Sequence, residues 1–256
     1  MSCGCLVPAA GEPVGYDEAM TRVLDPQRLS PGLVLAASTA MLVLGVVLGG
    51  MLLADVRLPP FQVLDEAWAR WITSLRSPFW DGVNAFLNVA GYRGVLALHG
   101  VLVAALLLRR RTQMAIFAAA AGIAVLIFTQ ILKAGILRDR PENTVVLTDT
   151  GSFPSGHVAS SAAFLVVVAL LVGRAWAWVL AGFGVLAMMV SRTYLSAHWL
   201  VDTLGGVCLA VPLALLLWLL SQNACIQENR DVGRLLSWRA RASRRRRAEA
   251  HPGSGP

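Results

Sequence analysis

Residues 32–54 read GLVLAASTAMLVLGVVLGGMLLA, 23 positions without one charged side chain. A helix rises 1.5 Å per residue, so about 20 apolar residues cross the roughly 30 Å hydrocarbon core of a bilayer. That core holds no water for backbone N–H and C=O groups, and a lone span satisfies them internally by forming a helix. The stretch therefore predicts an all-α membrane protein. Composition agrees, with 56% hydrophobic and 14% charged residues against about 25% charged in soluble domains.

Upstream, the first 30 residues carry four acids and no apolar core, so they are not a cleavable signal peptide and the 32–54 stretch serves as its own insertion signal. The four cysteines, Cys3, Cys5, Cys208 and Cys225, form no CxxC pair and no metal spacing. Downstream, Phe61, Leu64, Trp68, Trp71, Ile72 and Leu75 recur at helical spacing, with Asp65, Glu66 and Arg70 assigned to the opposite side. This pattern over 58–77 predicts an amphipathic helix lying on the membrane surface.

Further spans follow at 80–108 (entered through a polar, broken segment with Asp81, Asn84 and Asn88), 114–137, 158–172, 175–195 and 199–220. The expected architecture is an integral membrane bundle of six transmembrane helices with an outward-facing amphipathic surface helix. It occupies 31–221, between an N-terminal tail (1–30) and a basic C-terminal tail (222–256). Arg109 to Arg111, Arg174 and the tail arginines, including Arg244 to Arg247, all fall on one face. The positive-inside rule makes that face cytoplasmic, with both termini on it. The basic tail implies anionic lipid as its partner, not nucleic acid.

Against this apolar background Lys133, Arg140, His157, Arg192, His198 and Asp202 stand out, all towards the outer ends of their spans. A charge at mid-membrane costs about 2.5–3.5 kcal/mol on insertion scales and marks a partner or a function. Their convergence at one level predicts a single outward-facing site. His198 and Asp202 are four apart and share a helix face. A carboxylate on one ring nitrogen leaves the other free as a nucleophile. Lys133 and Arg140 are about two turns apart, and Pro141 then stops the helix. Ser155 and Gly156 open a helix whose free N–H groups suit an anion. Three cations match a phosphate monoester or diphosphate, whose oxygens fit arginine's planar fork.

KAGILRDRP (133–141), PSGH (154–157) and SRTYLSAHWLVD (191–202) together resemble the three-part signature of the type 2 phosphatidic acid phosphatase superfamily, which includes vanadium haloperoxidases and bacterial undecaprenyl-diphosphate phosphatases. The resemblance implies a membrane lipid phosphatase acting through a phosphohistidine. His198 would attack phosphorus, Asp202 would hold its ring, and His157 would protonate the leaving oxygen and then activate water. Lys133, Arg140, Ser155, Gly156 and Arg192 would bind the phosphate. No acidic cluster suited to Mg²⁺ accompanies these residues, so neither metal nor cofactor is expected and activity should survive EDTA.

The expected substrate is a membrane lipid carrying phosphate or diphosphate, such as phosphatidic acid or phosphatidylglycerophosphate. The alternative is undecaprenyl or another polyprenyl diphosphate of cell-wall carrier recycling. From a different class, a transporter or channel could line a pathway with the same charges; it would show flux without phosphate release.

Overall fold

The computed structural model describes residues 24–146 and 151–250. Cys3, Cys5, most of the N-terminal tail and His251 lie outside them. The described chain is helical, with no strand: α1 (Pro31–Ala54), α2 (Gln62–Ser74), α3 (Pro78–Val89), a π-helical segment (Ala90–Gly94), α4 (Val95–Leu108), α5 (Thr112–Ile136), α6 (Gly156–Val172), α7 (Ala175–Tyr194) and α8 (Leu200–Ala250). Five helical stretches are long and apolar enough to cross a membrane: α1, the run from α3 to α4, α5, α7 and the first 36 residues of α8.

The sixth apolar helix, α6, has only 17 residues and sits at the centre, packed on α5, α7 and α8. Its own sequence explains the position. Ala159, Ala162, Ala163 and Ala169 present no bulk, so neighbouring backbones close around it. A span sheltered in this way is held by protein contacts more than by lipid.

The polar entry to the second span does not break the helix. Ser77 caps α3 by accepting from the Trp80 N–H, with Pro78 at the first helical position. At Ala90–Gly94 the ladder widens to a single π turn and then resumes. A Cβ at Gly91 would collide with the end of the Met188 side chain and come 3.5 Å from the His157 ring. The lack of a side chain there lets α7 and α6 reach the wide turn.

The surface helix corrects one assignment. Asp65 is buried with Ile72 on the inner face of α2, while Leu64, Trp71 and Leu75 are exposed. Glu66 and Arg70 do face outward, as an ion pair at 3.7 Å. Burial of a carboxylate requires a partner, and Asp65 has one in Arg138.

At the opposite end the chain does not loosen after residue 221. α8 continues, and Glu228 caps the start of α5 by accepting from the Gln113 and Met114 N–H groups at 2.8 and 3.2 Å. Residues 24–30 lie against the same end, where the Asp25 and Gln27 N–H groups donate to the last carbonyls of α6, Leu171 and Leu170. Packed structure thus extends beyond the expected 31–221 boundaries on both sides, as non-helical chain over 24–30 and as helix past 221.

Candidate active site

The C-terminal ends of α5 and α7 and the N-terminal ends of α3, α6 and α8 meet at one end of the bundle. Two left-handed backbone positions turn the chain there: Leu137 (φ 49°) ends α5, and Ser196 (φ 50°) follows α7. These turns bring the 138–141 and 195–199 loops together.

Lys133 is buried in the last turns of α5 and donates to the Gly151 carbonyl at 3.1 Å. Arg140 reaches the same carbonyl at 2.9 Å, and its other terminal nitrogen binds the Ala197 carbonyl. Gly151 has φ +68°, and a Cβ on it would press to 3.1 Å from the Lys133 carbonyl oxygen, so this junction suits glycine. Arg140 Nη1 then lies 3.4 Å from His198 Nε2.

The His198 ring is oriented by its other nitrogen. Nδ1 is 2.7 Å from the Ser152 carbonyl oxygen. A carbonyl only accepts, so Nδ1 carries the proton and Nε2 keeps its lone pair. Asp202 Oδ2 is 3.7 Å from Nδ1, too far for a hydrogen bond. The expectation that Asp202 holds the ring directly is therefore modified: the backbone of Ser152 holds it, and Asp202 supplies a negative charge nearby. Burial pushes the His198 imidazole down to about 4, against the opposing pull of Asp202, with Arg140 and Arg192 pushing further down. The ring is neutral at physiological pH.

His157 enters from the start of α6. Its Nε2 donates to the Asn88 carbonyl at 3.1 Å and its ring lies against Tyr92, centroids 5.2 Å apart. Asn88 also accepts from Arg192 through its side chain at 2.5 Å. One residue beside the π turn thus joins a histidine of α6 to an arginine of α7. His157 is within electrostatic reach of Arg192, His198 and Lys133.

The Ser155 N–H donates to the Asp202 carbonyl at 2.9 Å, while its hydroxyl is buried without a hydrogen-bond partner among the described residues. Gly156 lies beside the Lys133 side chain, whose Cε would be in ordinary contact, at 3.9 Å, with an added Cβ. All eight residues predicted from the sequence therefore share one neighbourhood. Sequence reasoning missed Asn88, Gly151, Ser152, Asp65 and Arg138. Asn88 was visible as an amide in an apolar span, whereas Ser152 acts through its backbone and carries no side-chain signal.

Three cations, a neutral imidazole whose Nε2 lone pair faces Arg140, and a buried hydroxyl with no hydrogen-bond partner among the described residues make a receptor for a tetrahedral anion. A polar cavity of about 630 Å³ opens beside Arg140, walled by Gln62, Arg70, Arg76, Glu142 and Trp199. An apolar groove of about 490 Å³ between α2, α3 and α7 includes Trp71, Leu75, Leu87 and Val190. Leu87 adjoins Asn88, and Val190 lies two residues before Arg192.

The PAP2 superfamily pattern matches residues 112–225, which contain all eight site residues. The chain is 25% identical over 174 residues to phosphatidylglycerophosphatase B of Bacillus subtilis (strain 168), covering 64% of this chain and 86% of that protein. Its fold is similar to the crystal structure of the transmembrane PAP2-type phosphatidylglycerolphosphate phosphatase from Bacillus subtilis (TM-score 0.65, 22% identity, 73% of this chain and 96% of the other). It is also similar to Aquifex aeolicus LpxE (TM-score 0.50, 19% identity, 60% and 94%). Over residues 112–225 the chain accordingly resembles the PAP2 superfamily, its apolar helices and fold are those of a multi-pass membrane protein, and the similarities support a hydrolase of phosphoric esters.

Proposed function

We propose that the protein removes phosphate from a phosphorylated glycerolipid, of the phosphatidylglycerophosphate or phosphatidic acid kind, in two displacements at phosphorus. The observation that carries this reading is the His198 geometry: Nδ1–H is fixed on the Ser152 carbonyl, and the Nε2 lone pair lies 3.4 Å from an Arg140 nitrogen. In the first step Nε2 bonds to phosphorus and the bond to the ester oxygen breaks, with His157 in its doubly protonated form supplying that oxygen's proton from Nδ1 while its Nε2–H stays on the Asn88 carbonyl. The resulting phosphohistidine is cationic at the ring, and the Asp202 charge at 3.7 Å stabilises it. In the second step His157 takes a proton from water, whose oxygen bonds to phosphorus as the P–N bond breaks. Lys133, Arg140, Arg192, the Ser155 hydroxyl and the Gly156 N–H hold the non-bridging oxygens.

The apolar groove between α2, α3 and α7 supports a lipid leaving group, because its Leu87 end adjoins the Asn88 that holds His157. A curated relative named for phosphatidylglycerophosphate favours a glycerolipid. The arginine distribution supports an extracytoplasmic site, cytoplasmic termini and anionic lipid along the basic end of α8.

The test is phosphate release, with EDTA present, from micelles of phosphatidylglycerophosphate, phosphatidic acid and undecaprenyl diphosphate. His198→Ala should lower release by about a thousandfold or more, and wild type quenched in alkali, where a P–N bond survives, should carry label from a lipid with a ³²P-phosphate on His198. Equal release by both proteins would overturn the mechanism. Release confined to the diphosphate would overturn the substrate.

A further inference from the structure

Arg138 is the most enclosed arginine outside the phosphate cradle, 2% exposed, and the two displacements at phosphorus give it no role. Its Nη1 donates to Asp202 Oδ1 at 2.7 Å. Its Nη2 donates to Asp65 Oδ2 at 2.7 Å and to Gln62 Oε1 at 3.0 Å. The guanidinium lies between the Phe61 and Trp199 rings, 5.4 Å from each centroid. Both carboxylates are wholly buried, and each also binds the backbone at the start of α8. Asp65 Oδ1 accepts the Val201 N–H at 3.0 Å, and Asp202 Oδ2 accepts the Trp199 N–H at 2.9 Å. All four carboxylate oxygens are thereby engaged.

From this network we infer that Arg138 and Asp65 are positioning residues for the reaction: together they hold the Asp202 carboxylate at its set distance from His198, and they tie the surface helix α2 to the nucleophile.

Stability alone is a poor explanation for the arrangement. Burying two carboxylates and a guanidinium costs desolvation that well-packed apolar side chains would avoid. What the network provides is geometry. With Oδ1 fixed on Arg138 and Oδ2 on the Trp199 N–H, the carboxylate cannot swing to Nδ1 and displace the Ser152 carbonyl. The ring keeps the orientation that points Nε2 at the phosphate position, and the negative charge remains 3.7 Å away. Arg138 also dilutes that charge. Among the described residues, the ionisable groups facing His198 are Asp202 of α8, Arg140 of the 138–141 loop, Arg192 of α7 and, from α6, His157. Arg138 and Asp65 act on the ring through Asp202.

Two opposite effects follow. Without Arg138, two buried carboxylates face each other without their shared cation. Burial already pushes the Asp65 carboxyl upward, so Asp65 takes the proton and Asp202 keeps its charge. That undiluted charge then favours the protonated His198 ring. Without the Asp65 charge, Arg138 pairs with Asp202 alone and the ring is less readily protonated. A purely structural contact gives no such reversal of sign.

This inference rests on His198 as nucleophile, which His198→Ala tests separately. The decisive experiment measures kcat, KM and the pH profile of kcat/KM for Arg138→Met, Asp65→Asn and Arg138→Lys, with ¹⁵N-histidine NMR of His198 in detergent micelles. Arg138→Met should lower kcat about tenfold or more, leave KM within about twofold, and move the His198 titration upward in pH. Asp65→Asn should move it downward. Arg138→Lys, which keeps the charge but loses the fork, should restore the titration while kcat stays low. If Arg138→Met does not fold, Asp65→Asn decides by the same readouts. An inactive His198→Ala beside Arg138 and Asp65 variants with wild-type kcat and titration would overturn this inference and leave the phosphohistidine reading intact.

Discussion

His198 shows how one side chain is given a chemical state by its backbone surroundings. A histidine in water is about half protonated near pH 6.5. Here burial holds it at about 4, and the Ser152 carbonyl selects the tautomer. A group whose pKa is lowered is neutral above that value and protonated below it. The proposed nucleophile is therefore available throughout the physiological range and is lost as pH falls through about 4. The expected kcat/KM profile has no His198 limb between pH 5 and 7 and declines below about 4; stopped assays of phosphate release across pH 3.5–7 check it. A half-maximal point near 6.5 would mean that the ring is solvated in the free enzyme.

At the scale of elements, the site depends on helices that approach more closely than side chains allow. α6 and α8 meet at Gly206, where an added Cβ would lie 2.8 Å from the Ser155 carbonyl oxygen and 3.3 Å from the Ala159 nitrogen. Both neighbours are backbone and cannot rotate away, so Gly206→Ala must separate the two helices. Ser155 and Asp202 share a hydrogen bond across that junction. The substitution should cost about 1–3 kcal/mol, as overpacked cores do, and should lower kcat more than it raises KM. Thermal unfolding in detergent and steady-state kinetics measure the two effects. Gly91 is the softer case: its added Cβ meets mainly the flexible end of Met188, so Gly91→Ala should be tolerated far better.

The α2 helix illustrates what periodicity conveys and omits. Alternation of apolar and charged residues over 58–77 identified a helix lying across the bundle end. It placed Asp65 outward, because a carboxylate is rarely buried. The buried position follows from a cation 73 residues away in sequence, and no local pattern reports such a partner. Arg138 was equally legible as a charge and equally opaque as a bridge.

For the whole molecule, the arginines define a direction. Glu142 lies exposed at the site end and Arg234 exposed near the far end of α8. If the positive face is cytoplasmic, Glu142→Cys should react with a membrane-impermeant maleimide on intact cells. With Cys3 and Cys5 replaced by serine in both variants, Arg234→Cys should react only after permeabilisation, and the buried Cys208 and Cys225 should contribute little in either condition. The reverse pattern would place the site in the cytosol and remove the reading of an outward-facing phosphatase.

The sequence by itself determined the membrane class, the apolar segments and the eight residues of the candidate site. Hydrocarbon excludes charge, so every ionisable group left in a span is visible as an exception, and motif spacing survives without coordinates. The tertiary structure alone decided how those groups are held. The tautomer of His198 depends on a backbone carbonyl, His157 and Arg192 are joined through Asn88, and Asp202 answers to Arg138 and Asp65. These are contacts between distant segments made by atoms that every residue possesses or by charges with several possible partners. Only the packing of the helices selects which partners meet.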